Sequence, residues 1–243
     1  VTIDSMSDPR SIRRWFQYVF WLAPLTAFAT IALCVYGGFS KLESHHLRKM
    51  AQERAANAES MFLAEINAVE TKHSAGIEFY DMDGADEMLS RLKPLPYLYL
   101  VTFHQAPVSA TGLKHLVTQP NLKAICFNTV GVENKEIEAV AALPHLESLV
   151  LRQTSLGDTG IRLASAIPTL RQLKLSYGRS LVPCPMTDAA IDNLADCTQL
   201  RELTLEGEWF SHDAVSRLRK ALPECEIIVV RFEKEVQGSS IGP

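Results

Sequence analysis

Four prolines set the frame of this chain. Pro96, Pro120, Pro144 and Pro168 stand 24 residues apart. Two residues after each comes a leucine: Leu98, Leu122, Leu146 and Leu170. Three further on sit Val101, Ile125, Leu149 and Leu173, and two beyond those Phe103, Phe127, Leu151 and Leu175. The array continues with Leu200, Leu203 and Leu205 after a gap longer by six residues. It closes with Cys225, Ile228 and Val230 after a gap longer by one. One step back from Val101 and Phe103 lie Ile77 and Phe79, a degenerate opening copy. A period in the 20–50 residue range predicts units that cannot bury their own apolar face and must stack to share a core.

Two further apolar sets keep the same phase. One is Val108, Val132, Leu156, Met186 and Phe210. The other is a helical pair per unit: Leu89/Leu92, Leu113/Leu116, Ile137/Val140, Ile161/Ala164, Ile191/Leu194 and Val215/Leu218. The expected unit is therefore a short strand, a turn and a short helix.

The pattern Leu146-x-x-Leu149-x-Leu151, then a turn, then Gly160-Ile161-x-x-Ala164, resembles the leucine-rich repeat family. The resemblance covers residues 72–232 and implies an α/β solenoid: a curved parallel sheet with helices on the convex side. It implies a binding or scaffolding role but names no partner, because one fold serves many functions. One departure stands out. The family's asparagine ladder after the strand is missing; Thr154 holds that place once, and Ala106, Val130 and Gly178 hold it elsewhere. The inner ladder is then either weaker or carried by backbone alone.

Ahead of the repeats, residues 1–14 read as a disordered tail containing Arg10, Arg13 and Arg14. The 25 residues 15–39 carry no charge. As a helix they span about 37 Å, against about 30 Å of bilayer hydrocarbon. Trp15, Phe16, Tyr18 and Trp21 crowd one end, and Tyr36 and Phe39 mark the other, as interfacial aromatic belts do. The reading is a retained single-pass membrane helix. A cleaved signal peptide, a lipoprotein signal around Cys34 and a buried core helix are the rivals. The flanking arginines place the N-terminus in the cytoplasm and the repeats on the non-cytoplasmic side, although Lys41, Arg48, Lys49 and Arg54 blunt that bias.

Residues 40–71 read as a helical stalk or cap. Leu47, Ala51, Ala55, Ala58, Phe62, Ile66 and Val69 step by four, four, three, four, four and three, one face of a helix. That face either covers the open first repeat or pairs with a second copy in a stalk dimer. His45 and His46 are sequence neighbours and point apart on a helix, so they make no metal site. Residues 233–243 read as a polar, disordered tail.

Other chemistry is sparse. A net charge of −4 and the lack of a basic stripe argue against nucleic acid. Five cysteines at irregular spacing are no disulfide framework. Cys184 and Cys197 could pair across the long gap, and Cys225 reads as a buried core residue. Residues 81–87 resemble a calcium loop, but Leu92 stands where a bidentate glutamate is needed. A strand-to-helix turn with acids at the helix start explains them better. No phosphate loop, metal spacing or nucleophile motif occurs. His104 and Cys126 are offset by one rung and lack an oxyanion partner. No catalytic residue, metal or cofactor is expected.

The alternation of a strand fixes the outward set. Tyr80, Thr102, His104, Asn128, Arg152, Lys174, Glu206 and Arg231 would line the concave face beside Glu78, Cys126, Val150, Ser176, Thr204 and Val229. The long gap, residues 177–185, breaks the period and holds Tyr177 and Arg179, with Trp209 nearby in phase. These three are residue types enriched at interfaces, or else they pack an irregular repeat. The expectation is a non-catalytic, membrane-anchored interaction or scaffolding module that holds a protein or peptide partner, with no nucleic acid and no small-molecule substrate. The alternative is a structural envelope component that self-associates through its repeats.

Overall fold

The structure is a computed structural model and describes residues 56–177 and 184–231. The expected tail 1–14, the apolar stretch 15–39, the first part of the stalk, Arg179 and the tail 233–243 lie outside the described residues. Among the described residues no helix is long and apolar enough to cross a membrane.

Helix α1 covers residues 56–70. Strands and helices then alternate: β1 (Gly76–Tyr80), α2 (Ala85–Ser90), β2 (Leu100–His104), α3 (Ala110–Lys114) with a 3-10 turn (His115–Thr118), and β3 (Ala124–Asn128). After these come α4 (Asn134–Ala141), β4 (Ser148–Arg152), α5 (Asp158–Ser165), β5 (Gln172–Ser176), α6 (Asp188–Asn193), β6 (Glu202–Glu206), α7 (His212–Ala221) and β7 (Glu226–Val230). The seven strands form one parallel sheet in sequence order, β1 to β7. Each strand is five residues long, too short to hold a sheet together without its neighbours.

The register follows the sequence period. Val101, Ile125, Leu149, Leu173 and Leu203 pair in turn, as do Phe103, Phe127, Leu151, Leu175 and Leu205. All ten are buried, and so are both helix-side sets down to Leu218. They form one continuous core between the sheet and the helices. At its β1 end the rings of Phe79, Phe103 and Phe127 stack, with centroids 5.1 and 5.4 Å apart. Phe62 of α1 packs on Phe79 at 5.5 Å, and Val69 is fully buried. The Glu65 carboxylate accepts the Glu78 amide. So α1 lies against the free side of β1 and satisfies a backbone donor there.

No asparagine is needed for the ladder past the strand ends. The Asp81, Gln105, Thr129 and Gln153 amides donate to the last carbonyl of the next strand at 2.8–3.0 Å. These four residues adopt φ of 41–57°, left-handed backbone that turns the amide toward the neighbouring repeat. Gly207 does the same at φ 134°, its amide 2.9 Å from the Val230 oxygen. The backbone therefore carries the inner ladder.

A second ladder ties the helices. The Asp86 carboxylate accepts the Ser109 amide at 2.8 Å and its hydroxyl at 2.6 Å. Asp158 accepts the same two groups from Thr187 at 2.8 and 2.7 Å, and Asp188 accepts the Ser211 amide at 2.7 Å. An acid in the first turn of one helix thus fixes the N-cap residue of the next. In the middle repeat, Glu136 reaches back to the Ala110 amide at 3.2 Å while closing a capping box with Glu133.

The last strand departs from the sequence reading. Leu203 pairs with Ile227 and Leu205 with Val229. The core-facing residues of β7 are therefore Ile227 and Val229, and Ile228 and Val230 lie on the other face, 39% and 40% exposed. The expected extra residue before β7 does not exist; the step from Leu203 to Ile227 is again 24. A shift by one residue exchanges the two faces of a strand. Arg231, expected on the open face, instead follows β7 at the level of Gly207, its guanidinium 3.1 Å from the Phe210 oxygen and over the Phe210 ring.

Candidate interaction surface

Helices cover one face of the sheet, and the other presents two rows of side chains, one residue per strand. The first row runs Glu78, Thr102, Cys126, Val150, Lys174, Thr204, Ile228; the second runs Tyr80, His104, Asn128, Arg152, Ser176, Glu206, Val230. The spacing between strands is about 4.8 Å, so neighbours within a row touch.

At the β1 side the row is bound into one network. The Tyr80 and His104 rings stack, 1° from parallel, with centroids 4.5 Å apart. The Tyr80 hydroxyl donates to the Glu78 carboxylate, which pushes the phenol up to about 12. His104 Nε2 lies 3.3 Å from that carboxylate, and its Nδ1 lies 2.9 Å from Asn128 Nδ2. On the far side Lys174 Nζ lies 3.2 Å from Glu206. Burial acts to raise the Glu206 carboxyl, but hydrogen bonds from Ser176 and Lys174 outweigh it and hold the group below its ordinary value.

Between these two networks stands Arg152. Its side chain is exposed, and it makes no hydrogen bond or ion pair with a described residue. A guanidinium is a strong hydrogen-bonding partner for a carboxylate. Cys126 lies nearby in the first row, and burial raises its thiol above the ordinary value.

The remaining expected residues are placed differently. Thr102 is buried at 6% exposure. Tyr177 is also buried and belongs to the core. Trp209 is half-buried, edge-on to Phe210 at 4.8 Å, with its Nε1 3.4 Å from the Glu206 oxygen. Tyr177 and Trp209 therefore both pack against the irregular repeat. Cys184 and Cys197, which could have paired across the long gap, are both free thiols pushed up to about 11 by burial. Cys225 is half-buried. Gly84 caps α2 in left-handed backbone with Asp86 and Glu87 in the first turn, and no metal-binding cluster exists among the described residues.

The single pairing of Tyr80 with His104 was not foreseen, although the 24-residue step puts them in register. Against protein-family models the chain matches none, and no curated protein matches it significantly.

Proposed function

We propose that this chain is a leucine-rich-repeat solenoid held at a membrane by residues 15–39, and that the open face of its sheet binds a protein partner. Its role is interaction or scaffolding, without catalysis. The observation that carries the reading is the second row of the open face. Two networks flank Arg152, whose guanidinium makes no hydrogen bond with a described residue and whose charge helps to hold the Glu206 carboxyl down. The partner that fits is a segment with a carboxylate for Arg152, bordered by a group that stacks on the exposed Tyr80 ring. The repeat period, the parallel sheet in sequence order and the apolar run ahead of it support the same reading.

The test is affinity capture with the full chain in detergent, wild type beside Arg152→Glu and Lys174→Glu. Proteins retained by the wild type and lost from Arg152→Glu support the reading. An identical retained set in all three preparations refutes it.

A further inference from the structure

Helix α1 precedes β1 and joins the repeats to the chain ahead of them. It packs on the solenoid through Phe62, which lies on Phe79, and through the buried Val69. At its flank Glu59 forms an ion pair with Arg91, just past α2. One polar group sits inside this seam. Glu65 is half-buried, and its carboxylate accepts the Glu78 amide.

The surroundings of Glu65 are acidic. From β1 it meets the Glu78 carboxylate and the Tyr80 phenol that donates to it. His104 of β2 lies beyond, 3.3 Å from Glu78. The cations on either side are engaged elsewhere: Arg91 by Glu59, and Lys72 over the Tyr97 ring. No cation pairs with Glu65 among the described residues. A carboxylate held against a second one in a partly dry seam is better accommodated with its proton on. Burial pushes the Glu65 carboxyl above its ordinary value, the Glu78 amide opposes that, and the Glu78 charge adds to it.

We propose that Glu65 makes the seating of α1 on β1 proton-dependent: the helix sits more firmly when this carboxyl is protonated and more loosely when it is charged. The protonated group keeps an oxygen for the Glu78 amide, so the hydrogen bond survives. Stability from a raised carboxyl is full below the ordinary value and is lost as pH rises through the raised one. The joint between the repeats and the preceding chain is therefore tightest in acid. Arg152 takes no part in it, so this proposal and the binding of a partner can fail separately.

The test is hydrogen–deuterium exchange on the full chain in detergent at about pH 4.5 and about pH 7, corrected for the intrinsic exchange rate. Strands β3 and β4 serve as the internal reference and report a folded solenoid. In the wild type, protection of residues 56–70 relative to that reference is expected to rise at least about threefold in acid. Glu65→Gln keeps an accepting oxygen without the charge. It is expected to protect α1 better than the wild type does at neutral pH, and to change little with pH. Wild-type α1 whose relative protection stays level or falls in acid overturns the proposal. So does Glu65→Gln no better protected than wild type at neutral pH, which would show that the charged acceptor does not weaken the seat.

Discussion

Phe103 is the most informative single residue to perturb. It is fully buried, with Phe79 stacked on one side at 5.1 Å and Phe127 on the other at 5.4 Å. Replacing it by leucine keeps most of the apolar burial and removes both ring contacts. Each such contact is worth about 0.5–1.5 kcal/mol beyond its area. The two together come to about 1–3 kcal/mol, and the volume left unfilled adds to that. Phe103→Ala should cost more, at least ~3–5 kcal/mol. The loss should also be local, because stacked units feel mainly their neighbours. Hydrogen–deuterium exchange read by peptide mass should show protection falling first in β1, β2 and β3, with β5 and β6 least affected. The reasoning is refuted if Phe103→Leu stays within about 0.5 kcal/mol of wild type. It is refuted equally if protection falls evenly along the chain.

Other substitutions probe other parts. Gly207→Ala places a Cβ 2.5 Å from the Tyr177 oxygen at φ 134°, so a loss of about 2–4 kcal/mol is expected in denaturant titration. Gln119, 1% exposed, accepts the Leu95 amide at 2.9 Å and donates to the Lys93 oxygen at 3.1 Å. Gln119→Ala should cost about 1–3 kcal/mol, and Gln119→Glu should not rescue it, since a carboxylate cannot donate. The Ser211 hydroxyl and then its amide hold the Asp188 carboxyl below its ordinary value. A depressed folded pKa gives stability that is full above the unfolded value and is lost as pH falls through the folded one. Asp188→Asn should therefore lower the melting temperature at neutral pH, and the gap to wild type should close below about pH 4. A gap that stays constant with pH contradicts that assignment.

Much of this was legible in the residues, and the failures have physical causes. Six strands fell where the sequence pattern put them: Pro96, Pro120, Pro144 and Pro168 anchor β2 to β5, and the core pairs of β1, β2, β5 and β6 flank a polar residue. In β7 four β-branched residues run together, so alternation carries no phase. Placing Cys225 in a leucine position moved the strand by one residue and exchanged its faces. The helix spacing of Ala58, Phe62, Ile66 and Val69 matches the residues of α1 that meet the core. The ladder from Asp86 to Ser109, Asp158 to Thr187 and Asp188 to Ser211 was invisible. Each residue alone reads as an ordinary cap, and only stacking shows that the acid serves the next repeat. Tyr177 and Trp209 were weighed as contact residues by type, but side-chain type does not reveal depth: Tyr177 lies in the core and Trp209 leans on Phe210.

Cysteine accessibility along β4 and β7 reaches the foundation of the account most directly. Single cysteines at Leu149, Val150, Leu151 and Arg152, and at Ile227, Ile228, Val229 and Val230, would be labelled in the native full chain and located by mass spectrometry. The sheet described here predicts slow labelling at 149 and 151 and fast labelling at 150 and 152. At β7 it predicts faster labelling at 228 and 230 than at 227 and 229. Labelling that ignores the alternation in β4, or follows the opposite phase in β7, would contradict the shared core and the surfaces built on it.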